Sequence, residues 1–160
     1  MPYLIDGHNL IGTGMLPGIS LADEDDEVKL VRLLRRFQAR VRTPITVVFD
    51  RGIPGGFAAH LSGGGVTVIF AGMTGQSADE VIRARIRKAR HPNALRVVTD
   101  DMAIQRVARE RGCRVIPART FARELVRPLP RRPEREDVHL SPEEVEEWLE
   151  LFRRRKKGDS

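Results

Sequence analysis

A single cysteine in 160 residues, Cys113, excludes an internal disulfide and any thiolate metal cluster, and so fits a reducing compartment. Apolar runs are short, and none approaches the ~20 residues a membrane-spanning helix needs. The N-terminus has no basic segment, and Asp6 interrupts its apolar stretch, so no secretory signal is legible there. Together these absences predict a soluble, cytoplasmic protein. The chain also has no G-x-S-x-G, no Ser-His-Asp arrangement, no P-loop and no G-x-G-x-x-G, which argues against serine-hydrolase and nucleotide-dependent chemistry. The glycine run at 63–65 precedes a strand, the wrong side for a phosphate cradle. No repeat of solenoid period is present.

What is present is an ordinary globular mixture, 41% hydrophobic and 31% charged, long enough for one domain with a short appendage. The formal charge is +6 and the pI about 10.4, carried almost wholly by arginine, since lysine is confined to Lys29, Lys88, Lys156 and Lys157. The planar guanidinium suits phosphate, which makes nucleic acid a natural partner. Genome composition or a hot habitat gives the same bias.

Along the chain, short β-branched runs alternate with amphipathic helical patterns. Strands are expected at 3–6, 44–50, 66–72, 95–100 and 113–118. Helices are expected at 24–41, at 77–90 behind a Ser77-x-x-Glu80 capping box, at 102–112 closed by Gly112, and at 119–126 with Thr120 as its cap. The segment "DGHN" after the first strand reads as a loop. Continuously apolar strands alternating with helices predict an α/β fold, doubly wound, with a mostly parallel sheet covered on both faces. A Pro/Arg-rich linker follows at 127–140. Ser141, Pro142 and Glu144 then open an amphipathic C-terminal helix at 141–157 with Val145, Trp148, Leu149 and Phe152 on its apolar side.

In an open parallel sheet all strands end at one edge, where ligands bind. Three strands here end on acids: Asp6, Asp50 and Asp100, with Asp101 next. Asp79, in the first turn of the helix after the third strand, is a further acid for the same crevice. Carboxylates gathered this way repel one another unless a cation lies between them, and Mg²⁺ is the hard oxygen-seeking cation to expect. Two such ions promote phosphodiester hydrolysis by activating water and stabilising the leaving oxygen. Asn9 offers a neutral oxygen beside Asp6. Each acid also has a bland reading: Asp79 as a helix-dipole acid, Asp100 or Asp101 as an N-cap, Asp50 as a turn residue. Asp6 resists one, because no helix is expected to start directly after it. His8 lies in the same segment, and His60, His91 and His139 lack metal-ligand spacing.

"LIDGHNLI", "VVFD", "GQSADEVI" and "VVTDDMAIQRVARERGCRVIPARTFARELV" together resemble the NYN domains of the YacP-like group, relatives of the PIN-domain nucleases, over residues 1–126. The resemblance implies a PIN-like, Rossmann-like three-layer α/β/α sandwich and a Mg²⁺- or Mn²⁺-dependent endoribonuclease acting in RNA decay or processing. It makes Asp6, Asp79 and Asp101 the metal-binding catalytic acids, with Asn9, Asp50, Glu80 and Asp100 in support. Relatives often carry tyrosine where this chain has His8. Arg51, Arg83, Arg87 and Lys88 are expected to guide the RNA backbone. The expected partner is RNA, including mRNA on a ribosome, with no membrane; oligomeric state stays open. The alternative is an inactive RNA- or ribosome-binding module of the same fold.

Overall fold

The computed structural model describes residues 1–50, 62–128, 146–147 and 149–151, with backbone alone at 73 and 74. The chain divides into two compact units, Met1–Arg127 and Pro128–Ser160. In the second, residues 146, 147 and 149–151 are helical. Of the apolar side expected there Leu149 is described, while Val145, Trp148 and Phe152 fall outside the described residues, as does most of the expected linker. No helix among the described residues is long and apolar enough to cross a membrane.

Among its described residues the first unit has five strands: β1 (Tyr3–Asp6), β2 (Ile45–Phe49), β3 (Val66–Phe70), β4 (Arg96–Val98) and β5 (Arg114–Ile116). Among the described residues five α-helices accompany them: α1 (Gly7–Ile11), α2 (Asp26–Val41), α3 (Ala78–Lys88), α4 (Met102–Glu110) and α5 (Ala118–Val126). The sheet order is β3-β2-β1-β4-β5 and every pairing is parallel. Successive strand residues therefore feed opposite layers. Tyr3, Ile5, Val47, Phe49 and Val98 join Leu30, Leu34 and Phe37 of α2 and Phe121 of α5 in one core. Leu4, Val48 and Val97 join Val81, Ile82 and Ile86 of α3 and Ile104 and Ala108 of α4 in the other.

Aromatic contacts lock the first layer. Phe121 lies 5.3 Å from both Tyr3 and Phe37, and Tyr3 and Phe37 are 5.7 Å apart, ring centre to ring centre. Each such pair adds roughly 0.5–1.5 kcal/mol beyond area burial. The Arg96 guanidinium lies over the Tyr3 ring at 4.5 Å and donates to its hydroxyl.

Two local expectations are corrected. The "DGHN" segment is not a loop, because α1 starts at Gly7, directly after β1. Its reason is packing: Leu10 and Ile11 are fully buried, a helical pattern too short to show in five residues. Asp6 thus occupies the N-cap position, although its side chain makes no cap hydrogen bond. The Thr120 cap is also absent. Helix α5 starts at Ala118 behind Pro117, and its first N–H donates instead to Asp100 Oδ1 at 2.8 Å. That partner is 18 residues away and has no local sequence signature.

Gly7 is required by space rather than by backbone angle. A Cβ there would overlap the Phe49 ring, coming within 2.6 Å of Cδ1. Gly7→Ala is therefore expected to lower stability by about 1–3 kcal/mol through overpacking, measured by urea unfolding. Loss below ~0.5 kcal/mol would show that Phe49 moves aside freely.

Candidate active site

Strand order reverses at β1. The chain moves from β1 outward to β2 and β3, then crosses back under α3 to place β4 on the other side of β1. The crevice of such a sheet lies beyond the carboxyl ends of the strands at this reversal. Asp6 ends β1, and Thr99, Asp100 and Asp101 follow β4, so these four meet across the reversal.

Thr99 ties them together. Fully buried, it donates from Oγ1 to Asp6 Oδ2 at 3.3 Å and accepts from the Asp101 N–H at 3.0 Å. Its carbonyl accepts from Gln105 Nε2 at 2.8 Å, which anchors the strand end to α4. Burial pushes the Asp6 carboxyl up to about 6, with the Asp101 charge adding to the rise. The hydrogen bond from Thr99, the nearby Asn9 N–H and the nearby His8 pull against that shift. Asp6 and Asp101 are thus held within one another's field.

The neighbouring acids have structural tasks as well. Asp101 caps α4, with Oδ1 accepting from the N–H groups of Ala103 at 2.8 Å and Ile104 at 3.1 Å. Asp100 is exposed; its N–H donates to Asn9 Oδ1 at 2.8 Å while its carboxylate holds the start of α5. Asn9 thereby braces α1 against the end of β4. Asp50 Oδ1 accepts from the Ala78 N–H at 3.0 Å and so fixes the start of α3.

Asp79 is arranged differently. Its Oδ2 pairs with Arg83 Nη2 at 2.8 Å, one turn along α3, while Oδ1 is buried with no hydrogen-bond partner. No hydrogen bond links it to Asp6 or Asp101. Glu80 is exposed beside it, its N–H held by the Ser77 cap at 3.2 Å. Arg87 and Lys88 are exposed in the last turn of α3, Arg83 is engaged by Asp79, and Arg51 lies outside the described residues, as do His60 and His139.

Sequence reasoning missed Thr99, Asp26 and Glu27. Thr99 was visible as the one polar residue between two buried valines and two acids. Asp26 and Glu27 belong to the run "EDDE", which reads as first-turn acids along the helix dipole, and both are buried. Glu27 Oε1 lies 3.2 Å from His8 Nε2.

The family model of the YacP-like NYN domain matches residues 3–153. The chain belongs to this family. The NYN domain is a PIN-like nuclease fold, and the five-stranded parallel sheet with helices on both faces is that architecture. The chain is similar to the crystal structure of Rae1 (YacP) from Bacillus subtilis, at 26% identity and a TM-score of 0.66, with 99% of this chain and 96% of that chain covered. A tryptophan-to-leucine variant of that protein aligns at 26% identity and a TM-score of 0.59, covering 78% of this chain and 74% of that one. No curated protein matches.

The raised pKa of Asp6 makes this NYN domain's acid pair a stability cost. A carboxyl whose folded pKa is about 6, above its unfolded value, stabilises the fold fully only below the unfolded value and loses that contribution as pH rises through about 6. In chelator-treated protein, Asp6→Asn should therefore gain about 2–3 kcal/mol at pH 7.5 relative to its effect at pH 4. Thermal unfolding at both pH values checks this, and a gain that does not depend on pH would refute it.

Proposed function

We propose that this NYN domain is a divalent-cation-dependent endoribonuclease whose centre is the Asp6–Asp101 pair. The observation that carries the reading is one buried hydroxyl, Thr99 Oγ1, that donates to the Asp6 carboxylate and accepts from the Asp101 N–H, and so holds Asp6, pushed up to about 6, within the field of the Asp101 charge. The donor set fits Mg²⁺ or Mn²⁺, being wholly oxygen. The orphaned, buried Oδ1 of Asp79 adds an anionic oxygen of the kind a cation satisfies.

In this reading Asp6, Asp79 and Asp101 hold the cation. Thr99 and Asn9 keep Asp6 oriented, while Asp50 positions α3 and with it Asp79 and Glu80. Asp100 keeps the β4 end braced against α1 and α5. The bound cation would supply Lewis-acid activation of water and neutralise charge at the scissile phosphate. Arg87 and Lys88, with Arg51 and Arg83, would steer the RNA backbone along α3, consistent with the +6 net charge. RNA decay or processing in the cytoplasm, on free or ribosome-bound mRNA, is the setting this activity implies.

Asp101→Asn gives the sharpest test, because asparagine caps a helix as well as aspartate does and only the charge is lost. With Mn²⁺ present, the purified domain should cut RNA internally, and Asp101→Asn should slow cleavage by about 10²-fold or more with little change in thermal stability. Cleavage that survives chelation, or an equally active variant, would overturn the reading. Salt-dependent RNA binding without any cleavage would point instead to the inactive binding module. Replacing both Arg87 and Lys88 with glutamine should reduce the slope of log affinity against log salt by about 1–2, measured by fluorescence anisotropy.

A further inference from the structure

We infer that His8, Asp26 and Glu27 form a second cation site, for a first-row transition metal such as Zn²⁺, that shares no residue with the Asp6–Asp101 centre. One ligand atom from each of the three lies within 4.8 Å of the other two. They line a surface pocket of about 360 Å³ between α1, the start of α2 and the end of β2, with Leu21 and Asp50 on its wall. The pocket gives an ion a way in.

The burial of the two acids is what needs explaining. Asp26 is 4% exposed and Glu27 9%, adjacent in the first turn of α2. A helix dipole favours acids in that turn, but it acts on exposed acids too and gives no reason to bury two together. Side-by-side buried carboxylates are costly unless they are paired or coordinate a metal. The basic group beside them is the imidazole of His8, whose Nε2 lies 3.2 Å from Glu27 Oε1.

The mixture of donors selects the ion. One imidazole nitrogen and two carboxylates suit Zn²⁺, whose open sites commonly use three protein ligands and leave a fourth position for water. Mg²⁺ prefers oxygen alone, so this set discriminates against Mg²⁺, one of the two cations that fit the Asp6–Asp101 centre.

The ring's present hydrogen bonds add a consequence. The Asp50 N–H donates to His8 Nδ1 at 3.3 Å, so the neutral ring carries its proton on Nε2, facing Glu27. Coordination through Nε2 requires that proton to move to Nδ1, which gives up the bond from the Asp50 N–H. Asp50 lines the same pocket, and a carboxylate that accepts from an Nδ1–H would complete a carboxylate–histidine–metal pattern. Metal uptake would thus register as a change of histidine tautomer and would tie α1 to α2.

The test uses the Asp6→Asn/Asp101→Asn double variant, which lacks the charges of the other centre, so the two readings fail separately. Calorimetric titration with Zn²⁺ should show one saturable equivalent in this background. Adding the near-isosteric Glu27→Gln should weaken it by about tenfold or more. Absence of saturable binding, or affinity unmoved by Glu27→Gln, would overturn the site. Imidazole ¹⁵N spectra of the unaltered chain decide the matter even if that variant does not fold. Zn²⁺ should convert His8 from the Nε2–H to the Nδ1–H tautomer, and a ring that keeps its starting tautomer at saturating Zn²⁺ refutes the proposal.

Discussion

Everything in the first unit follows from the parallel pairing of β1 with β4, in which Tyr3, Leu4 and Ile5 register with Arg96, Val97 and Val98. Because the pairing is parallel, both strands must end at the same edge. Because the chain leaves β1 toward β2 and returns to place β4 on its other side, right-handed crossovers put α2 and α3 on opposite faces. The acid that ends one strand and the acids that follow the other are then neighbours by construction. Repulsion between them is the cost of that topology, and the buried Thr99 hydroxyl moderates it by donating to Asp6.

The fold was legible because its signals are local and repeated. Five β-branched runs and four helical periodicities carry the whole α/β alternation, and the boundaries moved by a residue or two when strands ran out of partners. What was illegible had non-local causes. Helix α1 shows no amphipathic period because it is a single turn and a half, held by the burial of Leu10 and Ile11. The cap of α5 comes from Asp100, across the sheet edge. The burial of Asp26 and Glu27 is not written in a run of four acids, since it depends on where α1 lays His8 against them.

The candidate site was legible in the same uneven way. Counting strand-ending acids located Asp6, Asp50, Asp100 and Asp101, but not their division of labour. Asp50 and Asp100 each give an oxygen to the first N–H of a helix, and Asp101 gives one oxygen to two N–H groups of the helix it precedes. A bland reading and a chemical reading of such an acid are compatible, since a carboxylate has two oxygens and a cap can occupy one. Asp79 shows the limit: its neighbour Arg83, read in sequence as a surface cation, is its ion-pair partner.

The two borrowed caps carry a consequence for how the chain assembles. Helices α3 and α5 take their first hydrogen bonds from side chains 28 and 18 residues upstream, each at the end of a strand or in the turn beyond it. Neither helix start is complete until the sheet edge exists. Nucleation, the slow step of helix formation, is thereby made conditional on tertiary structure. A chain built this way should gain its acid-lined edge and its flanking helices in one cooperative event, leaving no partly folded species with helices in place and the edge undefined.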